Sequence, residues 1–213
     1  DGVDAEVLLS SAVRQLYSIT DEPFQRAIFH SYNSWLHEFC SADPKRLLGL
    51  ALIPILDMEH TVADIHHYAK LGFRGVQIPT RIKDSGYYEP KYEPMWNALE
   101  ETGLIVNVHT SVMQGVARTH YEGPRETDPR EDPIGFARRQ VPAQQFLGNM
   151  ILSGNLDRHP KLKLVCAEFD VGWVANLVQQ VDYWFSREST FDADRNINKL
   201  PPSEYFKENI FFP

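Results

Sequence analysis

LIVNVHT, residues Leu104 to Thr110, is a short apolar run that stops on a histidine. Its length and its β-branched residues are typical of a buried strand. Similar runs recur along the chain, and longer segments with apolar residues at helical spacing separate them. The predicted strands are Ala5–Leu9, Leu47–Ile55, Phe73–Ile78, Leu104–Val108, Leu162–Ala167 and Ile210–Phe212. Near-continuous apolar strands that alternate with helices predict a parallel sheet covered by helices.

Each predicted helix has an apolar face that should pack on this sheet. The first three faces consist of Phe24, Ala27, Ile28, Trp35, Leu36 and Phe39, then of Met58, Val62, Ile65 and Ala69, and then of Tyr92, Met95, Trp96 and Leu99. Asp57 stands where it can cap the second helix, and Gly72 and Gly103 stand where a helix ends in the left-handed conformation. These signals place the helices between the strands.

The alternation of strands and helices fits two architectures, a doubly wound sheet and a (β/α)8 TIM barrel. No glycine-rich phosphate loop follows any predicted strand, which disfavours a doubly wound nucleotide-binding enzyme. A chain of 213 residues with 43% hydrophobic residues can form one domain, residues 1–213. The segment 111–139 is too long for an ordinary loop between a strand and a helix, so it predicts a lid or a binding loop.

The charge and hydropathy of the chain argue against nucleic acid and membranes as binding partners. The net charge of −8, without a basic block, argues against a nucleic-acid partner, whose phosphates need Lys and Arg. No apolar run approaches the roughly 20 residues that span a bilayer, so we expect no membrane association. Cys40 and Cys166 lie in apolar surroundings and predict free thiols, which fits a cytoplasmic protein. A small-molecule ligand is the expected partner.

Candidate site residues follow the predicted strands, because the carboxyl ends of parallel strands form the active-site mouth of a barrel. His109 ends its strand and could bind a metal or transfer a proton, although a hydrogen bond at the barrel rim is the alternative. Glu168 ends the run LKLVCAE and is a candidate catalytic acid or base, or else a cap of the next helix. Arg81, just past a strand, and His120, in the long segment, could bind a substrate, with surface solvation as the alternative for Arg81.

Four segments resemble a known family in the family's own order. They are YNSWLHEFCSADPKRLLGLALIPI (Tyr32 to Ile55), LGFRGVQIP (Leu71 to Pro79), YYEPKYEPMWNALEETGLIVNVHT (Tyr87 to Thr110) and LDRHPKLKLVCAEFDVGWV (Leu156 to Val174). The family is the amidohydrolase-related group of metal-dependent hydrolases and decarboxylases that includes aminocarboxymuconate-semialdehyde decarboxylase. The resemblance covers nearly the whole chain.

This resemblance implies a (β/α)8 barrel with one divalent metal ion at its C-terminal face, zinc by expectation and manganese as the alternative. His109 matches the metal ligand that ends the fifth strand of the family. Glu168 stands where a histidine often serves acid/base chemistry, and a subgroup of the family combines glutamate here with the following Gly-Trp pair. We therefore assign catalysis to Glu168 and His109, and substrate binding to Arg81, His120 and Trp173. Family members also commonly pair through outer helices, so a homodimer is expected.

Against the family pattern, the six predicted strands look like the second to the seventh. The metal-binding pair of the first strand and the aspartate of the eighth strand have no counterpart, so we expect a fragment of a longer chain. With Glu168 in the acid/base position, we predict a metal-dependent hydrolase of a small carboxylated or aromatic compound. A non-oxidative decarboxylase is the first alternative, and a catalytically inert truncated barrel or binding module is the second.

Overall fold

The computed structural model describes residues 2–10, 13–109, 113–114, 138, 140–191 and 198–213. The strands are β1 (Glu6–Leu8), β2 (Leu47–Leu52), β3 (Gly75–Ile78), β4 (Arg81–Ile82), β5 (Ile105–His109), β6 (Met113–Gln114), β7 (Leu164–Ala167) and β8 (Ile210–Phe211). The helices are α1 (Glu22–Cys40), α2 (Met58–Lys70), α3 (Glu93–Thr102), α4 (Val141–Leu152), α5 (Asn155–Arg158), α6 (Val174–Phe191) and α7 (Pro202–Glu208), with 3₁₀ turns at Val13–Ser18 and Pro90–Tyr92. Each of the six predicted strands is confirmed.

The main sheet has six parallel strands in the order β1-β2-β3-β5-β7-β8. The order follows the chain without reversal, whereas a doubly wound sheet reverses direction at a switch point. The short strands β4 and β6 pair separately, also in parallel. Within the described residues the sheet is therefore an open half-barrel with flanking helices, which confirms the barrel class.

The strand register divides the sheet into two faces. Every second residue projects to the same side, so register partners form rows across the sheet. The outer face packs against the helices, and one of its fully buried rows is Ala51, Val76, Val106, Leu164 and Ile210. The corresponding row of the inner face is Leu52, Gln77, Asn107, Val165 and Phe211. Burial on the inner face decreases from Leu52, which is fully buried, to Phe211, which is 44% exposed.

The predicted face of α3 is confirmed, since Met95, Trp96 and Leu99 are fully buried. The predicted face of α1 is mostly wrong, since Leu36 is its only fully buried member. Its buried side consists of Gln25, Phe29, Asn33 and Leu36, whereas Phe24, Trp35 and Phe39 are exposed. The physical reason is that polar residues on the buried side are satisfied by backbone: Gln25 donates to Leu16 and Ile19, and Asn33 bonds with Leu52.

The predicted face of α2 packs against the core, with Ile65 buried and Met58, Val62 and Ala69 partly buried, but it is incomplete. Thr61 and Asp64 are buried beside Ile65, which the apolar pattern did include. Asp64 accepts hydrogen bonds from the Arg26 guanidinium at 2.7 and 3.0 Å, so its charge is paired where it is buried. Polar residues that are buried with hydrogen-bond partners therefore belong to the buried side of a helix, although the apolar pattern omits them.

The predicted helix ends are confirmed. The Asp57 side chain accepts a hydrogen bond from the backbone N–H of His60 and caps α2. Gly103 follows α3 with a φ of 69°, and Gly72 lies just past α2 with a φ of 90°, a conformation that suits glycine because it has no Cβ.

The structure also bears on the cysteines and on membrane-spanning segments. Cys40 and Cys166 are free thiols, and Cys166 is buried. In the part of the chain that the structure describes, no helix has both the length and the apolar composition that a bilayer crossing requires.

Gly75 on β3 lies where neighbouring strands leave no room for a side chain. A Cβ there would stand 2.6 Å from the Ile105 carbonyl oxygen and 2.9 Å from a Leu50 methyl carbon. Gly75→Ala is therefore expected to lower the free energy of unfolding by about 1–3 kcal/mol in urea titrations. Gly148→Ala is the matched control. A Cβ added there would meet no heavy atom of the described residues within 4 Å apart from its chain neighbours and the backbone of its own helix, and alanine suits a helix. Equal stability of the two variants would contradict this account of the packing.

A charged network joins α3 to the turn before β7, at the edge opposite the predicted mouth. Glu93 accepts hydrogen bonds from Arg158 at 2.9 and 3.3 Å and lies 3.0 Å from Nε2 of the buried His159. Burial raises the pKa of Glu93, but the bonds and charge of Arg158, together with His159, outweigh it, so the pKa lies below its usual value. His159 thus belongs to the stability side of the fold.

A lowered pKa in the folded state means that Glu93 stabilises the protein above its unfolded pKa and loses this effect as the pH falls through its folded pKa. Glu93→Gln is expected to lower the free energy of unfolding by about 1–2 kcal/mol at pH 7, a figure reduced for partial exposure. The difference from wild type should shrink below about pH 4, as measured by urea unfolding at several pH values. Glu101→Gln, exposed on the same helix, is the control. A difference that is the same at all pH values would refute the role of the Glu93 charge.

Candidate active site

His109 and Glu168 lie together at the carboxyl ends of the adjacent strands β5 and β7. The distance between His109 Nε2 and Glu168 Oε2 is 3.3 Å. The His109 side chain is 1% exposed, whereas that of Glu168 is 65% exposed. The pair therefore combines a buried imidazole with a carboxylate that reaches solvent. An imidazole with a neighbouring carboxylate can bind a metal ion or exchange protons with a substrate.

A hydrogen bond from the end of the neighbouring strand holds the backbone of His109. The Thr80 hydroxyl donates a 2.8 Å hydrogen bond to the His109 carbonyl oxygen, and Thr80 is buried. Thr80 lies two residues past the end of β3, so this bond extends the pairing of β3 and β5 beyond the ladder. The backbone that carries the imidazole is thereby fixed at the mouth of the sheet.

The turn after β7 directs the Glu168 carboxylate towards His109. Ala167 is the register partner of His109, so a continued strand would place Glu168 on the opposite, outer face. Instead, the backbone of Glu168 is left-handed, with a φ of 62°, and that of Asp170 follows with 57°. Such values are uncommon for residues other than glycine, and each costs on the order of 1 kcal/mol. The left-handed turn breaks the alternation of the strand.

Trp173 holds this turn in place. Its indole N–H donates to the carbonyl oxygens of Phe169 at 2.7 Å and Asp170 at 3.1 Å. The ring packs edge-on against Phe212, with centroids 5.6 Å apart. Because the indole N–H is engaged by the backbone, a substrate could contact only the carbon edge of Trp173. Its substrate-binding role stays a prediction, whereas its positioning of the Glu168 turn is visible.

Of the other two predicted substrate-binding residues, the structure describes only Arg81. Arg81 begins β4 directly after Thr80, and its side chain is exposed. His120 and most of segment 111–139 lie outside the described residues. The binding roles of Arg81 and His120 stay predictions.

The metal-ligand prediction can be tested against the donor atoms. Across the described ranges, no three His, Cys, Asp or Glu side chains converge as the ligands of one ion. His109 and Glu168 supply an imidazole nitrogen and a carboxylate oxygen 3.3 Å apart, and both donor types suit zinc or manganese. A stable site uses three or more protein ligands, so His109 fits as one member of a larger ligand set, with Glu168 beside it.

Tyr17 helps to hold the strands near the site together, although no sequence pattern predicted this role. Its hydroxyl lies 2.9 Å from the carbonyl oxygen of Ile53 and 2.6 Å from that of Gln77, and it accepts a bond from the Ile53 N–H. Burial raises the pKa of Tyr17 well above its ordinary value, although the bond to Ile53 acts in the opposite direction. The phenol therefore stays protonated and joins β2 to β3 at their carboxyl ends.

Comparison with known proteins supplies the family. A family model described as amidohydrolase matches residues 2–193. The 2-amino-3-carboxymuconate-6-semialdehyde decarboxylase of Dictyostelium discoideum is 26% identical over 209 residues, which are 96% of this chain and 54% of that protein. The gamma-resorcylate decarboxylase of Rhodococcus jostii (strain RHA1) is 26% identical over 193 residues, 84% of this chain and 55% of that protein. The chain spans about half the length of these relatives.

A solved structure supports the fold independently. The 5-carboxyvanillate decarboxylase of Novosphingobium aromaticivorans, complexed with manganese and 4-hydroxy-3-methoxy-5-nitrobenzoic acid, aligns with a TM-score of 0.75 at 22% identity. The alignment covers 99% of this chain and 58% of that one. The half-barrel described above is thus the architecture of part of a larger known fold.

Proposed function

Because the chain belongs to the amidohydrolase family, we propose that its protein catalyses the non-oxidative decarboxylation of a small aromatic or ring-derived carboxylate. The two relatives compared above are named as decarboxylases, which favours this reaction over the hydrolysis that Glu168 suggested. The proposal concerns the activity of the whole protein, since the chain spans about half the length of those relatives.

The observation that carries the proposal is the distance of 3.3 Å between His109 Nε2 and Glu168 Oε2. Decarboxylation replaces a carbon–carboxylate bond by a carbon–hydrogen bond. The electron pair left on the ring carbon takes up a proton while carbon dioxide departs. A proton donor next to the substrate must therefore deliver one proton in each turnover.

Glu168 suits this proton transfer. Its side chain is 65% exposed, so it can recover a proton from solvent after each turnover. Its turn is held by Trp173, which keeps the carboxyl group at a constant place relative to His109. The 1% exposure of His109 keeps the imidazole fixed beneath the carboxylate.

His109 would contribute one ligand to a divalent metal ion, zinc or manganese. When bound, such an ion supplies a Lewis acid that polarises a substrate oxygen. The manganese reported for the 5-carboxyvanillate decarboxylase supports a divalent ion here without deciding which one. His109 itself orients the site, because both its side chain and its carbonyl oxygen have fixed positions at the end of β5.

Other assignments stay predictions. A hydrolase of the same family would use the same two side chains, with Glu168 taking a proton from water. An inert barrel or binding module would place them without turning over substrate. Three further expectations also stay predictions: the homodimer, the cytoplasmic location and the single domain of residues 1–213. The exposed Trp35 and Phe39 on α1 are positions at which substitutions can test association of two chains.

The test is a stoichiometric assay with the purified protein, manganese or zinc, and a panel of aromatic carboxylates in D2O. We expect one carbon dioxide released and one deuterium incorporated into the ring per product molecule. Cleavage of an amide or ester substrate without release of carbon dioxide would favour the hydrolase instead. Failure of both reactions in a folded, metal-loaded protein would leave the binding module.

A further inference from the structure

A series of three buried hydrogen bonds runs from the helix layer to the end of β5. The Trp96 indole N–H donates to the Tyr87 carbonyl oxygen at 3.2 Å, and the Tyr87 hydroxyl donates to the Pro79 carbonyl oxygen at 2.7 Å. The Thr80 hydroxyl then donates to the His109 carbonyl oxygen at 2.8 Å. Because Pro79 and Thr80 share a peptide bond, the series connects α3 with the residue that ends β5.

Tyr87 is the fixed part of this series. Its side chain is 4% exposed, and its ring contacts those of Tyr92, Trp96 and Phe146 with centroids 5.3, 5.5 and 5.6 Å away. Burial raises the pKa of Tyr87 well above its ordinary value, so the phenol stays protonated and can donate. A ring packed against three other rings holds its hydroxyl, and with it the Pro79 carbonyl oxygen, at a constant place.

Thr80 acts where the backbone pairing of β3 and β5 has stopped. The last register pair of these strands is Ile78 with Val108. Towards β7, His109 is still in register with Ala167. The Thr80 hydroxyl therefore binds His109 on the side that the β3 ladder no longer reaches, so that the end of β5 is held from both neighbouring strands.

The buried hydroxyl of Thr80 needs a physical reason. Thr80 is 3% exposed, and valine would have nearly the same shape without a polar group that must leave water. The hydrogen bond to the His109 carbonyl group offsets this cost. An imidazole that binds a metal ion must be held to within about 0.5 Å, and the backbone that carries it sets its direction.

We propose that Thr80 is a positioning residue, which sets the direction of the His109 imidazole at the mouth, and that Tyr87 holds Thr80 from the helix layer. This inference rests on the proposed function, which makes His109 a metal ligand. Thr80 itself touches neither the metal ion nor the substrate, because its hydroxyl proton is engaged by His109. Its effect passes through His109.

The test removes the hydroxyl with Thr80→Val and restores it with Thr80→Ser. Thr61→Val is the matched control, because Thr61 is also buried and its hydroxyl donates to the carbonyl oxygens of Pro54 at 2.8 Å and Asp57 at 2.6 Å. Urea midpoints are expected to fall by similar amounts in the two valine variants. Manganese affinity, measured by titration calorimetry, is expected to fall about tenfold in Thr80→Val and to stay within about twofold in Thr80→Ser and Thr61→Val.

A second readout does not depend on the metal. Before manganese is added, the protein is treated with diethylpyrocarbonate, and modification of each histidine is followed by mass spectrometry. His109, 1% exposed, should react far more slowly than the exposed His67 in wild type, Thr80→Ser and Thr61→Val. Its rate should rise about fivefold in Thr80→Val and about twofold in Tyr87→Phe, because a lost hydrogen bond raises the population of locally open states.

Three results would overturn the proposal. The first is a His109 in Thr80→Val that stays as protected as in wild type. The second is an equal loss of protection in Thr80→Ser or Thr61→Val, which would show general loosening rather than loss of one hydroxyl. The third is unchanged manganese affinity in Thr80→Val when wild type binds the ion. Unchanged protection in Tyr87→Phe would remove Tyr87 from the series.

Failure of the proposed function gives a different result. If wild type binds no manganese while His109 still loses its protection in Thr80→Val, the assignment of His109 as a metal ligand fails and the positioning role of Thr80 stands.

Discussion

Replacing Glu168 with glutamine is expected to lower kcat for decarboxylation by about 10²–10⁴-fold. Glutamine keeps the size of the side chain and its place in the left-handed turn, but it cannot deliver a proton. The effect should fall on kcat rather than on substrate affinity, because the lost step follows binding. Steady-state kinetics on the best aromatic acid from the panel measure it.

Asp170→Asn is the matched control for Glu168→Gln. Asp170 lies in the same turn with the same left-handed backbone, and asparagine tolerates that conformation well. We expect its kcat to stay within about threefold of wild type, since surface substitutions of this kind disturb little. Full activity of Glu168→Gln, or an equal loss in both variants, would remove Glu168 from the proton-transfer role.

Replacing His109 with alanine is expected to abolish metal retention and with it catalysis. Loss of one ligand from a site with few protein ligands should weaken metal binding by at least about 100-fold, since even outer contacts to such ligands are worth 10- to 100-fold. Elemental analysis of the purified variant should then find metal far below one ion per chain. Activity at low metal concentration should fall in parallel.

His67→Ala controls for the general loss of an imidazole, because His67 is exposed on α2, away from the strand ends. It should retain the wild-type metal content. His109 is buried, so urea unfolding of His109→Ala is needed to show that the variant is folded. Metal content that is unchanged in a folded His109→Ala protein would refute the ligand assignment.

The six strands could be predicted because their burial is nearly complete. Strands of a helix-covered parallel sheet are apolar on both faces, so they stand out as continuous runs such as Leu104–Val108. The architecture could not be chosen from these runs alone. It followed from the strand order, which depends on contacts distant in sequence.

Helix orientation was harder to predict where polar residues are buried. An apolar pattern marks a buried face only if buried positions are apolar, and Asn33 and Asp64 violate this condition while satisfying their hydrogen bonds. On α3, where Met95, Trp96 and Leu99 pack without polar neighbours among the buried residues, the same pattern is correct.

Two residues of the candidate site could be predicted, but their geometry could not. His109 and Glu168 could be found because polar residues at strand ends point to the mouth of a barrel. Their contact could not be found, because it depends on the left-handed φ of Glu168 and on the indole bonds of Trp173.

The turn after β7 has a consequence for protein engineering. Glu168 and Asp170 hold a backbone conformation that glycine adopts without penalty, so glycine at either position would relieve on the order of 1 kcal/mol. A selection for heat resistance alone would therefore reward Glu168→Gly, the substitution that removes the proposed proton donor. Directed evolution of this protein needs activity in the screen, because thermostability and turnover compete at this residue.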